Sequence, residues 1–140
     1  MTAFYLPALL KRHSIIQFLL RTNLISAEQL VSFNESSIAY LNLNDPEPRN
    51  VFLKCSFDPD YFSIARSLIS PSGVVFDLGA NHGLCTFGLL PDLSSVQFHL
   101  FEANESLVRT IEKSTTLYNE SNFFVNHACI SDRDGYSKFH

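Results

Sequence analysis

Apolar residues fall along this chain in short bursts, and the spacing within each burst assigns an element. Ile15, Ile16, Phe18, Leu19 and Leu20 form one patch that predicts a helix within the first thirty-odd residues. Ser26 with Gln29 offers a capping box for a second short helix through Phe33. The run from Ile38 to Leu43 alternates in part, and the run from Val51 to Phe57 follows an Asp45-Pro-Glu-Pro turn. Together these predict a hairpin or two short strands. Asp58-Pro59-Asp60 then supplies a cap, a proline at the first helical position and an acid in the first turn. Tyr61, Ile64, Ala65 and Leu68 follow at the spacing of one helix face, and Ser70-Pro-Ser-Gly73 ends it.

From Val74 onward the pattern changes to strand and helix in alternation. Val74-Val75-Phe76 is an unbroken β-branched and aromatic run, as expected of a strand buried on both faces. A helix from Leu84 to Leu90 is stopped by Pro91, and Val96 to Phe101 predicts a second strand. Asn104 can cap a helix with Leu107, Ile111, Ser114 and Tyr118 on its core face. Phe123 to Ile130 predicts a third strand, Asp132 to Gly135 a turn, and Tyr136 to His140 the start of another extended segment. Strands separated by helices of this length imply βαβ units, and hence an α/β fold with a parallel sheet. The expected organisation is an N-terminal helical segment over 1–35 followed by one α/β domain over 36–140.

Composition narrows the function classes. With 140 residues there is room for one domain and a real core. Thirteen Phe and no Trp predict a Phe-packed interior. A net charge of -4 and a pI near 5.6, with basic residues scattered, argue against nucleic acid and against a membrane surface as partners. Met1 to Leu20 is broken by Lys11-Arg12-His13, which fits neither a signal peptide nor a span, so a cytoplasmic protein is expected. Cys55, Cys85 and Cys129 show no paired spacing and are expected as small apolar fillers. His82 and Cys85 lack two further ligands at metal-binding spacing, so no metal is expected.

The informative stretch runs from Val74 to Gly83. A strand ends in Asp77 and enters a loop with Gly79, Asn81 and Gly83 that opens a helix. Glycine permits a tight turn and close approach of a ligand, and Asn tolerates a left-handed backbone. Glu102 lies nineteen residues beyond Gly83 at the end of the next strand, close to the ~20-residue offset of an acid that grips ribose hydroxyls. Its bland alternative is a solvent-exposed cap for the following helix. Asp132, just past the third strand, could accept from an adenine amino group with Ile130 and Phe101 lining a slot for the ring. Equally, Asp132 could simply form a turn. His82 sits in the same loop, with first-turn packing the favoured role.

The runs Phe-Asp-Leu-Gly-Ala-Asn-His-Gly (76–83), Phe-Glu-Ala-Asn (101–104) and Ala-Cys-Ile-Ser-Asp-Arg-Asp-Gly (128–135) closely resemble those of the FkbM-type methyltransferases. The likeness runs from about Ser36 onward, with Ala103 where that family usually has Pro. It implies a Rossmann-like class I methyltransferase fold, S-adenosylmethionine as cofactor, and often O-methylation of a hydroxyl on a sugar or natural product. It places Asp77, Gly79, Asn81 and Gly83 around the methionine end, Glu102 on the ribose and Asp132 near the adenine.

The family's sheet has seven strands, and these residues supply the first βαβαβ half of the doubly wound sheet. A truncated product is therefore expected, binding cofactor weakly and transferring no methyl group alone. The strand from Val74 to Phe76 is left with an unpaired apolar edge. Two rivals stand beside this reading. An NAD-binding oxidoreductase shares the strand-glycine-helix-acid order but expects Gly-x-Gly-x-x-Gly, and a catalytically inactive interaction module would use the N-terminal helices.

Overall fold

The computed structural model describes residues 12–118, 122–133 and 135. The chain opens on helix α1 (Arg12–Arg21), then the antiparallel strands β1 (Glu28–Phe33) and β2 (Ser37–Asn42). Helices α2 (Pro46–Lys54) and α3 (Pro59–Leu68) lead into strand β3 (Val74–Leu78). Helix α4 (Leu84–Leu89) with a short 3-10 turn (Leu90–Asp92), strand β4 (Gln97–Glu102), helix α5 (Glu105–Thr115) and strand β5 (Phe123–His127) complete it.

Strands β3, β4 and β5 form a parallel sheet in that order, with Asp77 opposite Leu100 and Leu100 opposite Val125. Among the described residues β3 is an edge strand. The structure thus has the α/β organisation and the short parallel sheet expected from the alternation after Val74.

Two expectations for the first half are corrected. Residues 28–33 form β1 rather than a helix: Val31 and Phe33 are buried while Leu30 and Ser32 face out, a period of two. Asn34 and Glu35 turn the hairpin with positive φ, and Asn34 clasps the backbone of Phe57 from both sides, at 2.8 and 2.9 Å. The loop at 34–36 contains residue 35, the boundary set from sequence between the two segments. Residues 51–54 belong to helix α2, not to a strand. Asp45-Pro46-Glu47-Pro48 is the start of that helix, where the first backbone N–H groups have no intrahelical partner and proline costs nothing.

The hairpin packs on the second half through side chains of α5 and of the turn that follows it. Tyr118 Oη accepts from the Ile38 N–H at 3.0 Å and donates to the Ile38 carbonyl at 2.5 Å. Ser114 Oγ accepts from the Tyr40 N–H at 2.9 Å. Lys113 pairs with Glu28 beside them. The core between hairpin, helices and sheet is Phe-rich as expected, with Phe33, Phe62, Phe87 and Phe98 fully buried beside Leu41, Leu100 and Ile111.

Among the described residues the sheet is covered on one face only. Val75, Phe98, Leu100 and Val125 point into the core, while Val74, Phe76, Leu78 and Phe124 lie 43–61% exposed on the other side. Phe76, His99 and Phe124 stack across the three strands on that bare face, at 5.2 and 4.5 Å between neighbouring ring centroids. Burial of β3 on both faces, expected from its unbroken apolar run, is therefore not found. The α3 face is shifted as well: Phe62 enters the core and Ile64 and Leu68 are exposed. Cys55 and Cys129 are exposed and Cys85 is half-buried, so two of the three cysteines fill no core space. Among the described residues no helix is long and apolar enough to cross a membrane. The segment 136–140, expected to be extended, lies outside the described residues.

Candidate functional site at the carboxyl end of the sheet

The loop after β3 is held against the end of β4 by a run of backbone donors. Gly79 and Ala80 both donate to the Phe101 carbonyl, at 2.9 and 3.0 Å. Asn81 N–H donates to Glu102 Oε2 at 2.9 Å, and Asn104 N–H donates to Glu102 Oε1 at 2.8 Å. Glu102 is only 8% exposed, so it is not the solvent-exposed cap of the alternative reading. One carboxylate ties the glycine loop to the next strand-helix junction, with both bonds charge-assisted.

Gly79, Asn81 and Gly83 all have positive φ, at 76°, 53° and 71°. Gly83 is doubly constrained, because a Cβ there would lie 2.6 Å from a ring carbon of Phe87. It forms the N-cap of α4 and accepts from Phe87 N–H at 2.8 Å. The sequence-derived loop residues are thus brought together with Glu102 at the carboxyl end of the sheet.

Asp77, the penultimate residue of β3, is half-buried and accepts from Thr86 Oγ1 at 2.8 Å. Burial pushes its carboxyl above 3.8, and the Thr86 hydrogen bond opposes that shift. Beside it Tyr61 is pushed up to about 12 and the Cys85 thiol to about 11, both chiefly by burial. Cys85 is therefore a protonated thiol at neutral pH and a poor nucleophile.

His82 is 1% exposed. Its Nδ1 lies 2.7 Å from Asn81 Oδ1, and its Nε2 lies 3.4 Å from Asp45 Oδ2, within ion-pair distance but without hydrogen-bond geometry. Burial holds the imidazole below 6.5, with the Asp45 and Glu102 carboxylates pulling the other way. Asn81 Nδ2 reaches Glu47 Oε2 at 3.5 Å. The N-terminus of α2 therefore seats on the glycine loop through Asp45 and Glu47. Sequence reasoning missed both residues, although proline at two of the first three positions after Asp45 is a helix-start signal.

Asp132 is not gathered into this cluster. Strand β5 ends at His127 rather than Ile130, and Asp132 lies in the exposed segment beyond it, with contacts to Ser131 at 3.3 Å and Arg133 at 3.9 Å.

No family model matches the chain, and no curated protein matches it. Solved structures do. Trm5b from Pyrococcus abyssi is similar at a TM-score of 0.55 with 14% identity, over 74% of this chain and 28% of that one. A candidate transferase from Pyrococcus horikoshii overlays at 0.55 with 10% identity, over 84% and 48%. Coclaurine N-methyltransferase bound to N-methylheliamine and SAH overlays more loosely, at 0.49 with 16% identity over 94% and 40%. The chain shares the Rossmann-like α/β fold of the first two structures, and it spans 28% and 48% of their length.

Proposed function

We propose that this chain carries the cofactor-binding part of an S-adenosylmethionine-dependent methyltransferase of the FkbM type. The observation that carries the proposal is Glu102, buried at the end of β4 and bonded to the N–H of Asn81 in the glycine loop. Each carboxylate oxygen accepts one backbone N–H and retains a second acceptor position. A ribose diol fits that remaining capacity. In this reading Asp77, Gly79, Asn81 and Gly83 surround the methionine end, and Asp132 reaches the adenine from the exposed segment beyond β5, outside the cluster.

When bound, the cofactor's sulfonium supplies an already activated methyl group. The chain's part is to fix the cofactor and the loop around it, since in-line methyl transfer depends mainly on positioning. The glycine loop is held by Phe101 and Glu102, and α2 braces it from outside. A hydroxyl acceptor also needs a general base. His82 is buried with its proton affinity lowered, so it serves as a loop brace. The acceptor proposed is a hydroxyl on a sugar or small natural product, a choice supported by the resemblance at residues 76–83, 101–104 and 128–135.

Calorimetric titration of the chain with S-adenosylhomocysteine and, separately, with NAD tests the proposal. Saturable heat with the first alone is expected. Tight binding of NAD, or binding of neither, overturns it.

A further inference from the structure

Away from the glycine loop, α1 and the start of α2 border a half-open cavity of about 240 Å³ lined by Gln17, Leu20, Arg21, Asn44 and Arg49. Gln17 and Arg21 stand one helical turn apart on α1, so both face the same side. Arg49 comes from α2 and is 6% exposed. One of its terminal nitrogens donates to the Asn44 carbonyl at 2.9 Å, while its Nε is buried with no hydrogen-bond partner. A buried guanidinium with an unmet donor is costly, and native structures rarely leave one so. Among the described residues no carboxylate lines the cavity, and neither arginine is ion-paired. The two acids nearest Arg49 in sequence face the glycine loop instead: Glu47 Oε2 lies 3.5 Å from Asn81 Nδ2, and Asp45 Oδ2 lies 3.4 Å from His82 Nε2.

Two guanidinium groups, two side-chain amides and an unsatisfied buried N–H describe an incomplete anion site. We propose that Arg21 and Arg49 form an oxyanion pocket that takes a carboxylate or phosphate group. A planar guanidinium presents paired donors matched to such groups, which a point charge does not. The cavity is smaller than the roughly 300–1,000 Å³ that encloses a whole drug-sized ligand, so it holds one acid group of a larger molecule or a small free anion. Asn44 on its wall is the chain neighbour of Asp45, which contacts the glycine loop. On the methyltransferase reading, the acid group belongs either to the methyl acceptor or to the cofactor's methionyl end. The pocket itself does not depend on that reading.

The test is a backbone and arginine Nε–Hε NMR titration of the full chain with inorganic phosphate and with acetate, at fixed ionic strength. Saturable shifts at Arg21, Arg49 and Asn44 are expected with at least one anion. Arg21→Gln, at an exposed position that leaves the fold intact, should weaken binding at least tenfold, and Arg49→Lys should do the same by removing the fork. Repeating the titration with S-adenosylhomocysteine present separates the two sources: displacement assigns the pocket to the cofactor's carboxylate, and simultaneous binding assigns it to the acceptor. Absence of saturable binding by both anions, or unchanged affinity in Arg21→Gln, overturns the pocket, whatever the cofactor result.

Discussion

Glu102 Oε2 lies 2.9 Å from the backbone nitrogen of Asn81, twenty-one residues earlier in the chain. That bond makes the acid part of the loop's own framework as well as a candidate ligand group. Glu102→Ala would leave the Asn81 and Asn104 N–H groups without their acceptor, at a cost of about 1–3 kcal/mol. Glu102→Gln keeps one accepting oxygen and should lose about half as much. Urea denaturation of the two variants checks the order.

Gly83 should resist substitution even by alanine. Its φ of 71° opposes a side chain, and the methyl group of an alanine there would meet a Phe87 ring carbon at 2.6 Å. A loss of about 1–3 kcal/mol is expected, the range for overpacking a tight core contact. Gly79 has open space around it, so Gly79→Ala should suffer only the backbone strain and be the milder variant. Thermal melting of the two variants ranks them.

His82 gives the chain an acid-sensitive joint. Its folded pKa lies below the ordinary 6.5, because burial disfavours the charged ring. The unfolded chain therefore takes up this proton first as pH falls. The contribution is intact above 6.5 and is lost as pH drops through the lower folded value. His82→Gln should flatten the stability profile on the acid side of 6.5, as followed by thermal melting across a pH series.

Tyr118 joins the hairpin to the far end of α5 by bonding both backbone groups of Ile38. Tyr118→Phe keeps the stacking on Phe87, whose ring lies parallel at 5.6 Å, but removes both hydrogen bonds. A loss of about 1–3 kcal/mol follows, with faster hydrogen exchange at Ile38.

The exposed face of the parallel sheet carries Val74, Phe76, Leu78 and Phe124 in one patch. A contiguous apolar patch of this kind drives association. Sedimentation should show self-association that rises with concentration and diminishes in Phe76→Ser.

Much of the chain from Asp58 onward is legible in the sequence because its signals are local. Asp58-Pro59 and Asn104 each cap a helix as the residues foretell, through bonds to Tyr61 and Ser106. Gly79, Asn81 and Gly83 all adopt the left-handed region that their residue types permit. The first half is less legible because tertiary partners decide it. Residues 28–33 become a strand only because residues 37–42 pair with them. Which face of β3 is covered depends on what packs beside it, not on its own composition. Glu102 is found from its offset to the glycine loop, but its bonds to two backbone N–H groups have no sequence signal. Asp45 and Glu47 escape notice because an Asp-Pro-Glu-Pro run suits a turn into a strand as well as the helix start it forms here.

Whether the loop at 79–83 and the end of β4 act together as an adenosyl site is tested most directly by a backbone amide NMR titration with S-adenosylhomocysteine. Saturable shifts concentrated at Gly79, Asn81, Gly83 and residues 102–104 are predicted. An unperturbed spectrum, or shifts confined to the hairpin and α1, would contradict it.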